Sequence, residues 1–545
     1  MDTLNKIKEF LRGEIDESEE SRVHYSRDAS LFEIKPKAVI FPKDTEDVKN
    51  LVKYAVQEKQ NDPSISLTPR AGGTDMTGGP LNESLILDFT RHFNRIKEVG
   101  NDYAVAESGV YYRDFEKETL KKDIFLPTYT ASREICALGG MIANNSGGEK
   151  SLIYGQTKDY VEELKVVLAD GEEHIFSKIG EKELNKKKEQ AGFEGQIYKK
   201  VYDLLDKNLD LVKASRPNVS KNSSGYNIWD VWDGENFNMV KIFVGAQGTL
   251  GLITEAKLRL VKKKSHSGML VLFLKDLGIL AGLVGAVLPF RPSSFESFDD
   301  HTFRLSLKFF PGFLKAMGAK NFFSLAWSFL PEFWLILTYG MPKLVLLIEF
   351  EENSQEEVDR KINELREKLR PFKVKNKIAA TARKSRKYWV IRRESFNLLR
   401  NKVRGKQTAP FIDDFIVRPE YLPEFLPKLY KILEDHKLFY TIAGHIGDGN
   451  FHIIPLMVLA DEENRKKIPV VSEEIYDLVL LYHGSITAEH NDGLLRGAYL
   501  LKMYGPEIFK IFEEIKSIFD PLGIFNPGKK VSATLDYAFK HIKRE

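Results

Sequence analysis

Cysteine is almost absent: Cys136 stands alone among 545 residues. One thiol excludes an intrachain disulfide, a cysteine-ligated zinc and an iron–sulfur cluster of the chain's own, and it fits a reducing cytoplasm. No uninterrupted run of about 18 apolar residues occurs, so a membrane-spanning helix is not expected. The start, Met1-Asp2-Thr3-Leu4-Asn5-Lys6, leads into an acidic run at Glu14 to Glu20, unlike a secretory signal. Charge of one sign is also scarce, with a net of +3, which speaks against a nucleic-acid partner. Neither a P-loop nor G-x-G-x-x-G is present, so phosphate binding of those two types is removed. There is no internal repeat and no low-complexity tract. What remains, 43% hydrophobic and 29% charged residues, is a globular mixture long enough for two or three domains.

Glycine, by contrast, is concentrated. Pro69-Arg70-Ala71-Gly72-Gly73-Thr74-Asp75-Met76-Thr77-Gly78-Gly79-Pro80 lies between the alternating run Ser64-Ile65-Ser66-Leu67-Thr68 and the apolar run Leu85-Ile86-Leu87-Asp88. The pattern predicts strand–loop–strand. Its glycines permit positive φ and leave bare N–H groups that suit a diphosphate, with Arg70 as a charged donor. Taken alone, the loop is equally well read as a surface turn. A second stretch, Ala137-Leu138-Gly139-Gly140-Met141-Ile142-Ala143-Asn144-Asn145-Ser146-Gly147-Gly148, also reads as a loop of small residues and backbone donors.

Together the two loops resemble the FAD-binding domain of the vanillyl-alcohol oxidase superfamily, the PCMH type. The resemblance continues in Tyr154-Gly155-Gln156-Thr157-Lys158-Asp159, in Val167-Leu168-Ala169-Asp170-Gly171 and in Gly245-Ala246-Gln247-Gly248-Thr249-Leu250-Gly251-Leu252-Ile253-Thr254-Glu255. These five motifs, in family order, span residues 36–262. The resemblance implies that the first loop, through Pro69, Arg70, Ala71, Gly72, Gly73, Thr74, Asp75, Gly78 and Gly79, cradles the diphosphate of FAD. It implies that the second, through Gly139, Gly140, Ala143, Asn144, Asn145, Ser146, Gly147 and Gly148, lies along flavin and diphosphate. Ile253 joins the cofactor set, as does Asn526 of the tail motif Phe519-Asp520-Pro521-Leu522-Gly523-Ile524-Phe525-Asn526-Pro527-Gly528-Lys529. Thr74 stands where covalent relatives carry histidine, which implies non-covalent FAD. Relatives usually have Ser-Glu where this chain has Ala246-Gln247.

Along the chain, residues 1–30 read as a short helix and acidic linker, and Pro36 to Pro42 as a strand. Asp44 caps a helix through Glu58, with Val48, Leu51, Val52 and Ala55 on one face. Residues 303–331 hold Arg304, Lys308, Lys315 and Lys320, no acidic residue and eight aromatic ones. Two readings stand for this insertion near 303–340. It packs inside a cap domain with lysines at the rim, or it lies on an anionic membrane surface. Leu344 to Phe350 and Ile412 to Val417 read as strands, Gln355 to Leu369 and Pro419 to Glu434 as helices. The fold class is α+β: a two-part PCMH-type FAD-binding domain plus an α+β cap domain with an antiparallel sheet. The divisions are 1–30, the FAD-binding domain 31–262, the substrate or cap domain 263–510, and a segment 511–545 that returns to the flavin domain.

A second chemical centre lies in Ala443-Gly444-His445-Ile446-Gly447-Asp448-Gly449-Asn450-Phe451-His452. A two-residue turn at Asp448-Gly449 predicts that His445 pairs with His452 on one face. Downstream, Gly484-Ser485-Ile486-Thr487-Ala488-Glu489-His490-Asn491-Asp492-Gly493 adds a carboxylate and a histidine. Two His and one Glu form a known catalytic zinc set. Spacing alone leaves a plain hairpin and an unrelated acidic turn as the simpler reading. The stretch from His445 to His452, however, resembles the HxGDGNxH motif of the D-lactate, glycolate and D-2-hydroxyglutarate dehydrogenase branch, and Glu489-His490 its Glu-His pair. That resemblance implies a divalent metal, Zn or Mn, on His445, His452 and Glu489, and His490 as the base. Relatives often carry Gly where this chain has Asn491. In Tyr388-Trp389-Val390-Ile391-Arg392-Arg393-Glu394-Ser395, Arg392 matches the arginine that binds the substrate carboxylate, with Arg393 second. Polar substrate positions of the hydroxyglutarate enzymes fall here on apolar Phe396 and Ile454, which disfavours a dicarboxylate.

The expectation is an FAD-dependent dehydrogenase of a D-2-hydroxy acid, D-lactate-like or glycolate-like, passing hydride to flavin N5. Without an iron–sulfur relay, a quinone or an electron-transfer flavoprotein is the implied acceptor. The implied location is the cytoplasm or the inner face of the plasma membrane. Two rival readings are an alkylglycerone-phosphate synthase-like transferase and a non-catalytic FAD subunit of a membrane complex.

Overall fold

Asp44 begins the first long helix as a cap: its carboxylate accepts the N–H groups of Glu46 and Asp47. Helix Thr45–Glu58 then buries Val48, Leu51, Val52 and Ala55 against strands Leu67–Arg70 and Leu85–Asp88. The helix works as a crossover. Strand Ala38–Phe41 enters it, and both Ala38–Phe41 and Leu67–Arg70 pair in parallel with Leu85–Asp88. The first glycine loop is therefore the connection between two parallel strands, and it leaves the sheet at the Arg70–Asp88 pair. The computed structural model describes residues 3–300, 302, 304, 334, 337–381, 384–393 and 405–544.

Two regions expected to be irregular are regular. The acidic run forms strand Glu14–Asp16, paired with Phe41 to Val39, and helix Glu19–Tyr25, whose cap Ser18 accepts from Ser21 N–H. Edge pairing and a serine cap order a stretch that has no apolar period. The second glycine stretch contains helix Leu138–Asn144, ended by Asn145 at φ 52°. Its two glycines lower helix propensity, yet burial of Leu138, Met141 and Ile142 compensates.

A six-stranded antiparallel sheet follows, in the order Asn236–Asn238, Glu173–Gly180, Val161–Val167, Leu252–Arg259, Tyr103–Glu107, Ile96–Val99. The tail joins this region, as helix Leu500–Phe519 buries Ile508, Ile511, Phe512, Ile515 and Phe519 in the same core. Beyond it, Leu67 accepts the Asn526 N–H at 3.0 Å.

The described residues of the remaining chain build an antiparallel sheet of eight strands. Strand Leu344–Glu352 sits inside it, between His266–Leu274 and Ser294–Asp299; the latter pairs Tyr440–His445, which pairs Asn450–Met457. Interior position explains the apolar run Leu344 to Ile348, and burial continues through Glu349 and Phe350. The expected strand Ile412 to Val417 shrinks to Phe415–Ile416, because Asp414 turns the chain at φ 71°. Most of the insertion near 303–340 lies outside the described residues, and so does Phe396. Among the described residues, no helix is long and apolar enough to cross a membrane.

Candidate active site

A cleft of about 720 Å³ runs between the glycine loops and the antiparallel sheet. Its first half is main chain. Pro69, Arg70, Ala71, Gly72, Gly73, Thr74, Asp75 and Gly79 line it from the first loop. Gly139, Gly140, Ala143, Asn144, Ser146, Gly147 and Gly148 line it from the second, and Ile253 from the fifth motif. Gly73 needs its φ of 64°, and a Cβ there would lie 2.6 Å from the Arg70 guanidinium. A Cβ on Gly140 would meet nothing nearer than Ala71 Cβ at 3.6 Å, so any larger side chain would grow into the cleft. Such a bare cradle fits a long, flat, phosphate-bearing group.

Three of the expected cofactor residues, Gly78, Asn145 and Asn526, do not line the cleft. Asn526 stands behind its wall and ties it together, giving its amide N–H to the carbonyls of Gly79 at 2.9 Å and Gln247 at 2.7 Å. The Arg70 guanidinium, beside Gly73, donates to the carbonyls of Tyr25 and Arg27. Gln247, at the family departure, accepts the Gly493 N–H at 2.9 Å and so links the fifth motif to the far end of the site. Asn491, the other departure, sits at φ 69°. That left-handed region is one that glycine and asparagine share, which accounts for the exchange.

The other half of the cleft is side chain. The hairpin register differs from the expected one. His445 pairs with Asn450 and Ala443 with His452, so the turn has four residues, Ile446 to Gly449. Gly449 (φ 76°) closes it, where a Cβ would strike Val417 O at 1.8 Å. The shift is two residues, which preserves the face, because side chains alternate with period two. His445 and His452 thus remain neighbours on one face, ring centroids 5.2 Å apart.

Asp414 aims the third segment. Its Oδ2 accepts the N–H groups of Ala488, Glu489 and His490 at 3.0, 2.9 and 2.6 Å and the Thr487 hydroxyl at 2.7 Å. The turn thereby directs Glu489 toward the hairpin. Glu489 Oε1 lies 3.0 Å from His445 Nε2, 3.3 Å from His452 Nε2 and 4.0 Å from His490 Nε2. Three nitrogen donors converge on one carboxylate oxygen. Asp414, His452, Glu489 and His490 also lie close enough for one ion. Asp414 Oδ2, however, is held by those four donors and its Oδ1 by Asn450 Nδ2 at 3.1 Å, whereas His445 Nε2 lies nearest of the three rings to Glu489 Oε1.

Each imidazole is backed by a second carboxylate. Glu296 lies 2.5 Å from His445 Nδ1, and Asp413 lies 3.0 Å from His452 Nδ1 and 2.6 Å from His490 Nδ1. Burial opposes the charged form of His445, but Glu296 outweighs it and pushes the pKa up to about 9. Burial likewise opposes the charge on Glu489, and Lys221, 3.1 Å from Oε2, with His445 holds it well below the usual carboxylate range. The cluster gathers the buried carboxylates Glu296, Asp413, Asp414, Asp448 and Glu489, a concentration of negative charge of the kind that a divalent ion balances. With two imidazoles, a carboxylate and carboxylate-backed rings, the donor set fits one.

Arg392 reaches the same place from the helical stretch 384–393 and gives its Nε to Glu296 Oε2 at 3.1 Å. Arg393 instead forms a two-point pair with Glu149, Nε to Oε2 at 3.0 Å and the second through its terminal nitrogen. Sequence reasoning missed Glu296, Asp413, Asp414 and Lys221. Asp413 and Asp414, charged between apolar Phe411-Ile412 and Phe415-Ile416-Val417, carried a signal of buried charge though not of its partners; Glu296 lies among serines and carried none. Ser220-Lys221-Asn222 reads as any polar loop, and Lys221 meets Glu489 across 268 positions.

The chain matches the model of the FAD binding domain over residues 36–177 and that of the C-terminal domain of FAD linked oxidases over residues 289–530. It is 27% identical to a D-2-hydroxyglutarate dehydrogenase of Escherichia coli (strain K12), covering 96% of this chain and 51% of that protein. Glycolate oxidase subunit GlcD of Bacillus subtilis (strain 168) is 26% identical, with 94% of this chain and 93% of that protein covered. The chain spans about half the length of the first curated relatives it matches. Among solved structures, p-cresol methylhydroxylase with substrate bound superposes at a TM-score of 0.68 and 16% identity, covering 98% of this chain and 97% of that one. That likeness shows the PCMH-type fold.

Proposed function

The chain belongs to the FAD-linked oxidases, and on that premise we propose that it is a dehydrogenase oxidising a small D-2-hydroxy acid to the 2-oxo acid. The observation that carries this reading is the convergence of His445, His452 and His490 on Glu489 Oε1, in the same cleft as the glycine loops. FAD, held along Pro69–Asp75 and Gly139–Gly148 without a covalent bond, supplies the acceptor for the hydride from C2. A divalent ion, Zn or Mn, on His445, His452 and Glu489 supplies a Lewis acid for the 2-hydroxyl.

The residues of the chain do the rest. Arg392 clamps the substrate carboxylate and so fixes which face of C2 meets the cofactor. His490 Nε2 takes the hydroxyl proton as general base. Burial of His445, Glu296, Asp413 and Glu489 strengthens their contacts, while His452, His490 and Arg392 remain partly open to the cleft. Arg393 is engaged at two points by Glu149, and Ala443 and Ile454 add apolar wall. A monocarboxylate such as lactate or glycolate suits that surface better than a dicarboxylate. Electrons then leave to a carrier outside these 545 residues, a quinone or an electron-transfer flavoprotein.

A screen of D-2-hydroxy acids with an artificial dye acceptor tests the reading. Anaerobic D-lactate or glycolate should bleach the flavin. A flavin that stays oxidised with every acid would sink the proposal and favour a non-redox transferase.

A further inference from the structure

Asp413 is one carboxylate between two imidazoles with different tasks. Its Oδ1 faces His452 Nδ1 at 3.0 Å and its Oδ2 faces His490 Nδ1 at 2.6 Å. The two rings stack, with centroids 4.9 Å apart and 26° between planes. Asp413 is fully buried, and Arg496 holds its backbone carbonyl. An ionised carboxylate only accepts hydrogen bonds, so each facing nitrogen must carry its proton. With the N–H on Nδ1, a neutral ring keeps its lone pair on Nε2. Both Nε2 atoms then lie toward Glu489 Oε1, at 3.3 and 4.0 Å, and a lone pair facing that ionised carboxylate requires the cation that the proposed function places there. His445 differs, because its Nδ1 partner is Glu296 on the separate strand Ser294–Asp299.

From this geometry we infer that Asp413 is a shared positioning residue, fixing the Nε2 lone pairs of a metal ligand and of the base in a single contact. The inference rests on the reading of His452 as ligand and His490 as base. It has a chemical consequence. In Asp413→Asn the amide offers one acceptor and one donor. Only one of the two rings keeps its Nδ1–H bond. The other meets an NH₂ group, takes the Nε2–H tautomer and loses the lone pair it needs. Glu296→Gln disturbs His445 and, because Glu296 Oε2 also accepts from Arg392 at 3.1 Å, the carboxylate clamp and with it KM, but it leaves His490 untouched.

The two variants are compared as FAD-loaded protein. Affinity for Zn²⁺ and Mn²⁺ is measured by chelator competition, and dye-linked turnover is measured with the best acid of the screen. Both should weaken metal binding by roughly tenfold to a hundredfold, as lost outer partners do. Excess metal should restore most of kcat in Glu296→Gln. Asp413→Asn should stay at least about a hundredfold down in kcat, with KM moved far less, because added metal restores neither the Nδ1–H bond of the base His490 nor, with the amide turned the other way, the Nε2 lone pair of the ligand His452. Recovery of Asp413→Asn by metal to the level of Glu296→Gln would overturn the inference.

Should Asp413→Asn fail to fold, as judged by flavin content and thermal unfolding, the wild-type protein decides the matter. Its ¹⁵N histidine spectra should show His490 as the Nδ1–H tautomer. An Nε2–H tautomer there overturns the proposal. Wild-type protein that binds no divalent ion overturns the inference together with the functional reading beneath it, and that outcome is recognised before any variant is made.

Discussion

Along the glycine loops the wall of the cleft is main chain, shaped by missing side chains at Gly73 and Gly140. Opposite them it is made of buried charge: His445, Glu296, Asp413 and Glu489. The first half presents a shape and backbone N–H groups, so a filled glycine is the change expected to damage it most directly. The second half depends on individual atoms that share partners, Asp413 between two imidazoles and Glu489 among three, so a change at one member reaches the others. Asn144 joins the two, donating to Asp75 Oδ1 at 2.7 Å while its carbonyl accepts from Asn491 at 3.1 Å.

The sharpest break in this comparison is to empty the charged half while leaving the other loaded. His445→Ala and His452→Ala should each abolish metal binding and turnover, and the protein should stay yellow. Flavin loss in both variants would show that the two halves fold as one and would end the distinction. His490→Ala should be milder and more specific. Metal and FAD stay bound, and kcat falls by roughly a hundredfold to ten-thousandfold, the usual share of a general base. Near-normal turnover would remove His490 from that role.

The opposite break fills the glycine half. In Gly140→Leu the side chain enters the cleft, and FAD should bind at least about tenfold more weakly, some 1.4 kcal/mol. Metal affinity should be unchanged. The flavin-to-protein absorbance ratio and chelator competition read the two halves separately. A drop in metal affinity equal to the loss of flavin would mean that the cofactor, rather than the protein, organises the histidines.

The same contrast governs what could be read from sequence. Features set by local pattern were legible: helix Thr45–Glu58 follows from Asp44 and four apolar positions, and strand Leu344–Glu352 from its apolar run. The cleft's glycines were legible because their residue type is itself the signal. The charged half was legible only through its motif, and only in part. His445 and His452 were expected to pair directly, because Asp448-Gly449 imitates a two-residue turn. Contacts of Val417 with the turn make it four residues long. Asp413, Glu296 and Lys221 act through partners 77, 149 and 268 positions away, where no local pattern reaches. Helix Leu138–Asn144 was hidden for a converse reason, since two glycines argue locally for a loop and the helix is decided by burial.

The smallest effect calibrates the charged half against a histidine outside it. His174, on strand Glu173–Gly180, lies 2.9 Å from Asp170 and 3.8 Å from Glu194. Burial works against its charge, yet the two carboxylates outweigh it and push its pKa from 6.5 up to about 9. The folded chain therefore holds this proton more tightly than the unfolded chain does. The resulting stability is complete below pH 6.5, shrinks as pH rises and is gone once pH passes about 9. After solvent screening it amounts to about 1 kcal/mol. In His174→Ala the unfolding free energy should fall by that much at pH 6 and match the wild type near pH 10. Turnover should not change at either pH, because neither His174 nor its two partners line the cleft. A histidine ringed by carboxylates is thus insufficient for function by itself. What sets His445, His452 and His490 apart is that a second nitrogen on each ring faces a common point inside a cofactor cleft. If His174→Ala shows the same pH slope as the wild type, the ion pair at Asp170 is solvated, and the comparison loses its reference.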